Sequence, residues 1–408
     1  MTFESWATES VADCIVPVSV AGKTKIQSRD YKSSGRFPVI DQGQERIAGW
    51  TDDESAVIET PLPLVVFGDH TRAFKFLDVP FARGADGTQL LRPKPGIDPL
   101  FFFYACRAID LPARGYNRHF TVLKEKELSY PGGYGEQKAI AAVLRQTESL
   151  LAQQSALLEM LQELKRAAMS RLFTRGLRGE AQKETEIGLV PESWEFDSLG
   201  AHHTVVSGGT PSRSNSSFWT GGTIPWVKTT EVNYCVISET EEHITPRGLE
   251  NSAAKMLPGG TLLMAMYGQG VTRGKVAILG IEATCNQACA AITPKNDAVL
   301  PRYLYHFLTW RYDEIRSLAH GGQQQNLNLE IVRDLPIVYP KTDDEQNKII
   351  TILDSIDRKI ALHRQKSAVL EDLFQSLLHK LMTGEIRVAD LDLSALSVAP
   401  AQIPEVTA

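Results

Sequence analysis

The chain has 408 residues, of which 43% are hydrophobic and 23% charged, and its formal net charge is −6. This composition is typical of a globular protein, the length exceeds that of one ordinary core, and no apolar run approaches the ~18 residues of a membrane span. Because the start shows no signal-peptide pattern and the five cysteines are scattered, we expect a cytoplasmic protein without disulfides or membrane contact.

The charge is unevenly distributed along the chain. Residues 1–135 carry −1, residues 136–178 carry +3, residues 179–344 carry −6 and residues 345–408 carry −2. The overall field therefore does not favour nucleic acid, and any DNA contact has to come from local basic surfaces.

The first block, residues 1–131, is predicted to form short strands broken by turns, with a helix near its end. The apolar runs Leu62–Phe67 and Ala73–Val79 flank a turn that contains Gly68, which is typical of a β-hairpin. Pro99 suits the first turn of a helix. A polar turn at Gly115–Phe120 and an apolar strand that ends at Pro131 complete the block.

A long helix is predicted next, within residues 132–178. Apolar residues recur there at alternating steps of four and three without an interior Pro or Gly, which indicates a coiled-coil seam about 63 Å long. Its apolar seam residues are Ile140, Leu144, Leu151, Leu158, Leu161 and Leu172.

The second block, residues 179–340, repeats the organisation of the first. The runs Thr261–Met266 and Gly274–Leu279 again flank a glycine-containing turn, and Pro301 again precedes an apolar helical stretch. A polar turn at Gly321–Asn328 and a strand that ends at Pro340 follow in the same order.

A second long helix is predicted within residues 341–388, and a flexible tail within residues 389–408. Glu345–Ile386 aligns without a gap on Glu136–Leu177 at an offset of 209 residues, and its seam comprises Ile349, Leu353, Ile356, Ile360, Leu370, Phe374, Leu377 and Leu381. The chain is thus a tandem repeat. We predict an α+β fold in which two β-rich domains alternate with two long helices, which form an antiparallel coiled coil with internal pseudo-two-fold symmetry.

Motifs in the second block and in both helices resemble those of a known family. The block reads EIGLVPESWEFDSLG at Glu186–Gly200, SGGTPSRSNSSFWTGGTIPWVKTTEV at Ser207–Val232 and GGQQQNLNLEIVRDLPIVYP at Gly321–Pro340. With the paired Glu-Gln heads of the long helices, this pattern resembles the DNA specificity subunit of type I restriction-modification systems over nearly the whole chain. The first block lacks Gly-Thr-Pro-Ser and is similar to a second form of the same recognition domain.

The resemblance implies a function and a set of partners. Two target recognition domains, 1–131 and 179–340, would each read one half of a split, asymmetric site in double-stranded DNA. The helices would set the spacing of the half-sites and dock two methyltransferase subunits, which bind S-adenosylmethionine and methylate a flipped-out adenine. Restriction subunits that use ATP and Mg²⁺ would join for cleavage. The chain itself would bind no cofactor or metal and would not be catalytic.

Candidate DNA contacts are polar side chains in the turns of both blocks, because Arg and Lys read guanine, Asn and Gln read adenine, and small hydroxyls contact either. They are His70, Arg72, Lys75, Asn117, Arg118 and His119 in the first block, and Thr210, Ser212, Arg213, Lys228, Gln269, Thr272, Arg273, Lys275, Gln323, Gln324, Gln325 and Asn326 in the second. For each, the alternative is a solvated loop or turn-forming side chain. For Gln323–Asn326 it is a structural loop beside the second long helix.

Two alternatives come from other functional classes. A coiled-coil adaptor could present two β-rich heads to protein partners, and co-purification with an adenine methyltransferase would separate it from a specificity subunit. A stand-alone enzyme would need a catalytic set, but we find no dinucleotide, phosphate-loop, methyltransferase or nuclease motif. Cys285 and Cys289 lack the second ligand pair of a zinc site.

Overall fold

The computed structural model describes residues 6–84, 87–112, 119–268, 271–318 and 326–392. The chain divides into two compact units, one formed by residues 1–156 with 365–408 and the other by residues 157–364. Both boundaries fall inside long helices, so each unit contains one β-rich part and a portion of each long helix. Among the described residues, no helix has both the length and the apolar character of a membrane span.

The first β-rich part leads into a long helix. In chain order its elements are β1 (Trp6–Ser10), α1 (Val11–Cys14), β2 (Ile15–Val16), β3 (Phe37–Ile40), β4 (Gly49–Thr51), β5 (Val57–Ile58), β6 (Leu64–Gly68), β7 (Phe74–Leu77), β8 (Phe81–Arg83), β9 (Thr88–Pro93), α2 (Pro99–Ala108), α3 (Phe120–Glu125), β10 (Glu127–Pro131) and α4 (Tyr134–Arg175).

The second β-rich part leads into the other long helix. Its elements are β11 (Gln182–Thr185), β12 (Gly188–Pro191), β13 (Glu195–Ser198), α5 (Leu199–His202), β14 (His203–Ser207), β15 (Ile224–Val227), β16 (Val236–Ile237), β17 (Glu242–Ile244), α6 (Pro246–Glu250), β18 (Leu262–Ala265), β19 (Val276–Leu279), β20 (Thr284–Cys285), β21 (Cys289–Pro294), α7 (Pro301–Trp310), α8 (Tyr312–Ser317), α9 (Leu329–Arg333), β22 (Pro336–Tyr339) and α10 (Asp343–Met382).

The two β-rich parts share a common core of sheet topology, to which the first adds β5 and the second adds β16. In the first unit the strand orders are β2-β9-β6-β7, β4-β3-β8-β5 and β1-β10. In the second they are β14-β21-β18-β19-β16, β17-β15-β20 and β13-β22, with the extra hairpin β11-β12. Strand β3 pairs in parallel with β8 just as β15 pairs in parallel with β20. The matching orders confirm that the chain is an internal repeat.

The two predicted hairpins form from buried apolar runs. Strands β6 and β7 pair antiparallel from Leu64 opposite Leu77 to Phe67 opposite Phe74, and β18 pairs with β19 in the same sense. Each following helix has Pro in its first turn, where the missing N–H costs no hydrogen bond. Helix α2 is also capped by the Asp98 carboxylate, which accepts hydrogen bonds from the Leu100 and Phe101 amides, both at 3.0 Å.

The long helices pack antiparallel within each unit, as predicted. In the first unit, Ile140 and Leu144 near the start of α4 share a core with Phe374 and Leu381 near the end of α10. In the second unit the opposite ends meet, because the core joins the Met169–Phe173 stretch of α4 to the start of α10, around Ile349 and Leu353. Each predicted seam residue is buried or half-buried, so apolar burial stabilises the pairing.

The repeated Glu-Gln sequence at the head of each long helix has a structural role. Gln346, which is fully buried, accepts a hydrogen bond from the Leu300 amide at 2.9 Å and donates to the Ala298 and Pro340 carbonyls at 2.7 and 3.1 Å. Its glutamine side chain therefore joins three segments: the end of β22, the turn before α7 and the start of α10.

Gln137 repeats this arrangement in the first unit. It accepts from the Asp98 amide at 2.7 Å and donates to the Gly96 and Pro131 carbonyls at 3.1 and 2.8 Å. In each unit, the glutamine at the start of the long helix thus attaches that helix to its own β-rich part through three hydrogen bonds.

Candidate nucleic-acid interface

The Gly-Gly pair of the second block lies where no side chain fits. A Cβ on Gly208 would lie 2.1 Å from the Cys285 carbonyl oxygen, and one on Gly209 would lie 2.2 Å from the Ala254 amide nitrogen. Both contacts are with backbone, which cannot move aside cheaply. Gly208 therefore lets the segment that carries Thr210, Ser212 and Arg213 pass close to the loop that follows β20, and Gly209 lets it pass close to residues 253–254.

Four distant segments of the second unit converge around this loop, residues 286–288. The Gly209 amide donates to the Cys285 carbonyl at 2.9 Å, and the Asn286 amide donates to Val227 at 3.0 Å. The Met266 amide in turn donates to Ala288 at 2.8 Å, and the Met266 carbonyl accepts from Leu327 at 3.0 Å. The structure thus brings together the segments that carry most of the candidate residues predicted in the second block.

The loop at the centre of this convergence carries two polar residues that the sequence analysis did not select. The Asn286 side chain is held by the Thr229 hydroxyl. Its Oδ1 accepts a hydrogen bond from that hydroxyl at 3.0 Å, and its Nδ2 lies 2.8 Å from the same oxygen as a donor. Gln287 is exposed and bonds the hydroxyl of Thr210. An exposed amide held from one side is suited to hydrogen bonding with a base edge. In the sequence, the available signal for this loop was the polar pair Asn286 and Gln287 between Cys285 and Cys289, which are both buried.

Arg213 and Lys228 lie on one side of the convergence and share a carboxylate. The Arg213 guanidinium forms an ion pair with Glu242 and stacks 3.7 Å from the Trp219 ring centroid. Lys228 forms an ion pair with Glu241 and lies 3.5 Å from Glu242. Hydrogen bonding from Arg213 is the main cause of the lowered pKa of Glu242. These cations are already neutralised in part, which weakens them as DNA contacts.

The turn between β18 and β19 holds Thr272, Arg273 and Lys275. Thr272 and Lys275 are half-buried, and the Lys275 ammonium donates to the Asn233 side chain at 2.8 Å. Arg273 is buried, with only 8% of its surface exposed. Asn326, which directly precedes the residue bonded to Met266, is exposed. Of the predicted cations in this turn, Lys275 has the more accessible side chain.

The corresponding segments of the first unit also converge. The Thr71 hydroxyl donates to the Gln42 carbonyl, and Gln44 donates to Thr71 at 3.3 Å, which joins the turn after β6 to the loop after β3. The Asp69 amide donates to Gly87 at 2.7 Å. The Asp69 carbonyl accepts from the His119 amide at 3.2 Å and contacts its Nδ1 at 2.9 Å. The His70–Lys75 turn and the segment before α3 are therefore neighbours.

Arg72 is the exposed cation of this turn. Its backbone has a φ of 62°, a left-handed conformation that is costly for a residue with a Cβ and is concentrated at functional sites. Its guanidinium donates to the Leu111 carbonyl at 2.6 Å. Because Arg has five N–H donors, most of them stay available to a ligand.

Two predicted contacts of the first unit are buried. Lys75 is 6% exposed because strand alternation turns it to the same face as Leu77. Its ammonium donates to the Asp41 carbonyl at 2.8 Å, and burial lowers the pKa of Lys75. His119 is 2% exposed and precedes α3. These positions correct the expectation that both side chains reach a ligand. Asn117, Arg118, Gln269, Gln323, Gln324 and Gln325 lie outside the described residues.

Only one group in the described part of the chain has metal-like geometry. The donor atoms of His306, Asp354 and Asp357 lie within 4.8 Å of one another. Their carboxylates are already engaged, since Asp354 accepts from His306 and Arg302, both at 2.8 Å, and Asp357 lies 2.6 Å from Lys165. Burial raises the pKa of Asp354, but the hydrogen bonds from His306 and Arg302 outweigh it and hold the pKa at about 2. We assign this cluster to helix packing.

Comparisons with known proteins show which family this chain resembles. Residues 191–372 match the family model described as type I restriction modification DNA specificity domain. The chain is 23% identical over 342 residues to the type I restriction enzyme EcoR124I/EcoR124II specificity subunit of Escherichia coli, a match that covers 82% of this chain and 83% of the relative. The chain is therefore similar to type I restriction-modification specificity subunits over most of its length.

Further relatives agree with this resemblance. The MjaIX specificity subunit of Methanocaldococcus jannaschii is 31% identical over 208 residues, which cover 50% of this chain and 47% of the relative. The fold matches the S subunit from M. genitalium with a TM-score of 0.64 at 17% identity, over 92% of this chain and 96% of that one. A specificity subunit is a non-catalytic component, and the family implies no cofactor of its own.

Proposed function

We propose that each β-rich part of this specificity subunit reads one half of a bipartite site in double-stranded DNA. The observation that carries the proposal is the convergence of polar segments in both units. In each, the hairpin turn, the loop after the parallel strand pair and the segment before a short helix meet through backbone hydrogen bonds. Loops held together on a rigid sheet suit sequence reading, because they can differ while the scaffold stays the same.

The proposed base contacts are the exposed and half-buried polar residues of these convergences. In the second unit they are Gln287, Thr210, Lys275 and Asn326, which combine amide, hydroxyl and ammonium groups. In the first unit we propose Arg72, with His70 and Gln44 beside it. Amides and arginines can each form two parallel hydrogen bonds to a base edge, which is the basis of direct readout in the major groove.

The long helices are proposed to dock two methyltransferase subunits. Apolar side chains stay exposed on them, among them Met160, Leu164 and Leu362 in the second unit and Val369 in the first, each more than half exposed. An exposed apolar stripe on a paired helix is suited to a partner helix. The partners would supply the chemistry, with S-adenosylmethionine bound by the methyltransferase subunits and ATP with Mg²⁺ by restriction subunits.

Methylation mapping tests the proposal directly. The chain is co-expressed with its methyltransferase in a host that lacks other adenine methylation, and methylated sites are mapped across the genome. We expect one motif with two specified halves and an unspecified spacer. Gln287→Ala should relax only one half and Arg72→Ala only the other, whereas the exposed helix residue Gln153 provides a matched control, Gln153→Ala, that leaves both unchanged.

Two results would contradict the proposal. If both variants relaxed the same half, the two units would not read separate halves. Methylation at an uninterrupted motif would likewise rule out a bipartite site.

A further inference from the structure

The first unit contains an open cleft of about 890 Å³ that lies beside the proposed reading turn. One wall is formed by residues 72–76, which span the end of the turn and the start of β7, and the other by α2 and the first half of α4. Five cationic side chains line it against two carboxylates, Asp110 and Glu148. This is a local positive surface in a chain whose net charge is −6.

Two of the five cations have structural tasks. Lys75 is buried against Asp41, as described above. Arg107 forms an ion pair with Glu148, and its guanidinium lies 5.2 Å from the Phe374 ring centroid and 5.3 Å from that of Phe103. Because the Tyr104 hydroxyl also donates to Glu148 at 2.9 Å, that carboxylate is occupied and does not neutralise the remaining cations.

Three arginines remain exposed to the cleft: Arg46, Arg72 and Arg145. Arg145 contacts Asp78 at 3.3 Å, but both side chains are nearly half exposed, and such surface pairs contribute only ~0–1 kcal/mol. Its guanidinium lies 5.6 Å from the Phe76 ring centroid, which orients it along the wall. An incoming anion can therefore replace Asp78 at little cost.

The second repeat does not have this basic wall. At the 209-residue offset, Asp354 stands where the first repeat has Arg145 and Asp357 where it has Glu148. Moreover, β19, the counterpart of β7, pairs with an additional strand, β16, whereas among the described strands β7 pairs only with β6. The basic cleft is thus a feature of the first unit that the equivalent positions of the second repeat do not reproduce.

We propose that this cleft binds the phosphodiester backbone of the DNA strand that flanks the half-site read by the first domain. This inference rests on the proposed function, because it takes Arg72 as a base contact. The cleft is continuous with the turn that carries Arg72, so a strand whose bases meet that turn continues along Arg46 and Arg145. Contacts of this kind fix orientation and contribute affinity without sequence preference.

The salt dependence of DNA binding tests the inference. The full chain in complex with its methyltransferase is titrated with a cognate duplex and a mixed-sequence duplex at several KCl concentrations. Arg145→Gln and Arg46→Gln should each reduce the slope of log K against log salt by about 0.9. One lost phosphate contact also implies roughly five- to tenfold weaker binding at about 0.1 M salt, equally for both duplexes.

The controls separate this inference from the proposed function. Arg145→Lys keeps the charge and should restore most of the slope. Arg166→Gln removes an exposed arginine on the same helix, paired with Glu163 at 4.0 Å, and should leave the slope unchanged.

Three outcomes would overturn the inference. A slope for Arg145→Gln that equals the Arg166→Gln slope removes the cleft from the DNA path while leaving base reading intact. Competition by polyglutamate with an unaltered DNA slope would assign the cleft to an acidic protein segment instead. Wild-type protein without salt-dependent DNA binding would refute both the inference and the proposed function.

Discussion

Removal of the buried glutamine at the head of α10 should selectively destabilise the second unit. In Gln346→Ala, the Leu300 amide and the Ala298 and Pro340 carbonyls lose their partner at once. Gln346 has no exposed surface, so water reaches these groups only if the packing opens. The three segments would then keep the apolar contacts and the polar contacts of Tyr303 and Asp354, but they would lose the three bonds that Gln346 makes at their junction.

The expected magnitude follows from the three bonds. Leaving a buried polar group unsatisfied costs ~1–3 kcal/mol, and since Leu300 and Ala298 are only half-buried, the lower bound applies to them. We expect a loss of about 3 kcal/mol in the free energy of unfolding of this unit. For a unit of this size, that corresponds to a Tm decrease of roughly 6–12 °C.

Hydrogen exchange with peptide resolution is the appropriate assay, because it reports each unit separately. Protection in the peptides of α7 and β22 should decrease by roughly two orders of magnitude, the equivalent of about 3 kcal/mol. Gln346→Glu keeps the volume but replaces the donor with an oxygen that faces two carbonyls, so it should destabilise at least as much. Asn347→Ala changes the exposed neighbouring amide and should remain within about 0.5 kcal/mol of the wild type.

Gln137→Ala provides the mirror experiment in the first unit. It should lower protection around α2 and β10 and leave α7 unaffected. If Gln346→Ala destabilised no more than Asn347→Ala, or if Gln346→Glu were neutral, the hydrogen bonds would not hold these segments together and our account of the repeated Glu-Gln head would be wrong.

Three other predictions concern binding, spacing and pH. Arg72→Ala should weaken binding to the cognate duplex by roughly 5- to 160-fold, the equivalent of ~1–3 kcal/mol for a bidentate base contact. Size-exclusion chromatography should show that this variant still assembles with the methyltransferase. Arg273→Ala removes a buried side chain and should therefore also lower the Tm. One heptad inserted into each long helix adds about 10.5 Å and should lengthen the methylated spacer by about three base pairs, so an unchanged spacer would exclude the helices as its determinant. The pKa of Asp354 is about 2 in the folded protein, against an ordinary value of 3.8. A lowered pKa contributes stability that is fully present above pH 3.8 and is lost as the pH falls through 2. Urea titrations at different pH values should therefore show about 2 kcal/mol of acid-sensitive stability that Asp354→Asn lacks.

Local signals in the sequence were sufficient for the scaffold. The 4-3 spacing predicted two long helices, and prolines at 99 and 301 marked the start of the two shorter ones. The hairpins were predicted from apolar runs on either side of glycine-containing turns. Each of these signals lies within one helix or one hairpin, so no knowledge of tertiary structure was needed.

The interface depended on contacts that no local pattern encodes. Loop 286–288 is central only because β15 and β20, more than fifty residues apart, pair in parallel. Strand alternation places Phe74 and Phe76 on one face of β7 and Lys75 with Leu77 on the other, so the local pattern favoured an exposed Lys75. In the folded sheet the ammonium is instead buried against Asp41.

A comparison of the two repeats distinguishes positions that maintain the shared fold from positions that are specific to one unit. Gln137 and Gln346 make the same three bonds in both copies, so either copy would lose its helix attachment without them. Arg145 and Asp354 occupy equivalent positions with opposite charges, and Asp354 is tied to its own unit by two hydrogen bonds. Arg145→Asp should therefore weaken phosphate binding in the first unit more than Arg145→Gln does while the fold persists, because Arg145 pairs only with the exposed Asp78. Asp354→Arg should unfold the second unit locally, because it would place a second cation beside Arg302 and remove the carboxylate that the buried His306 bonds.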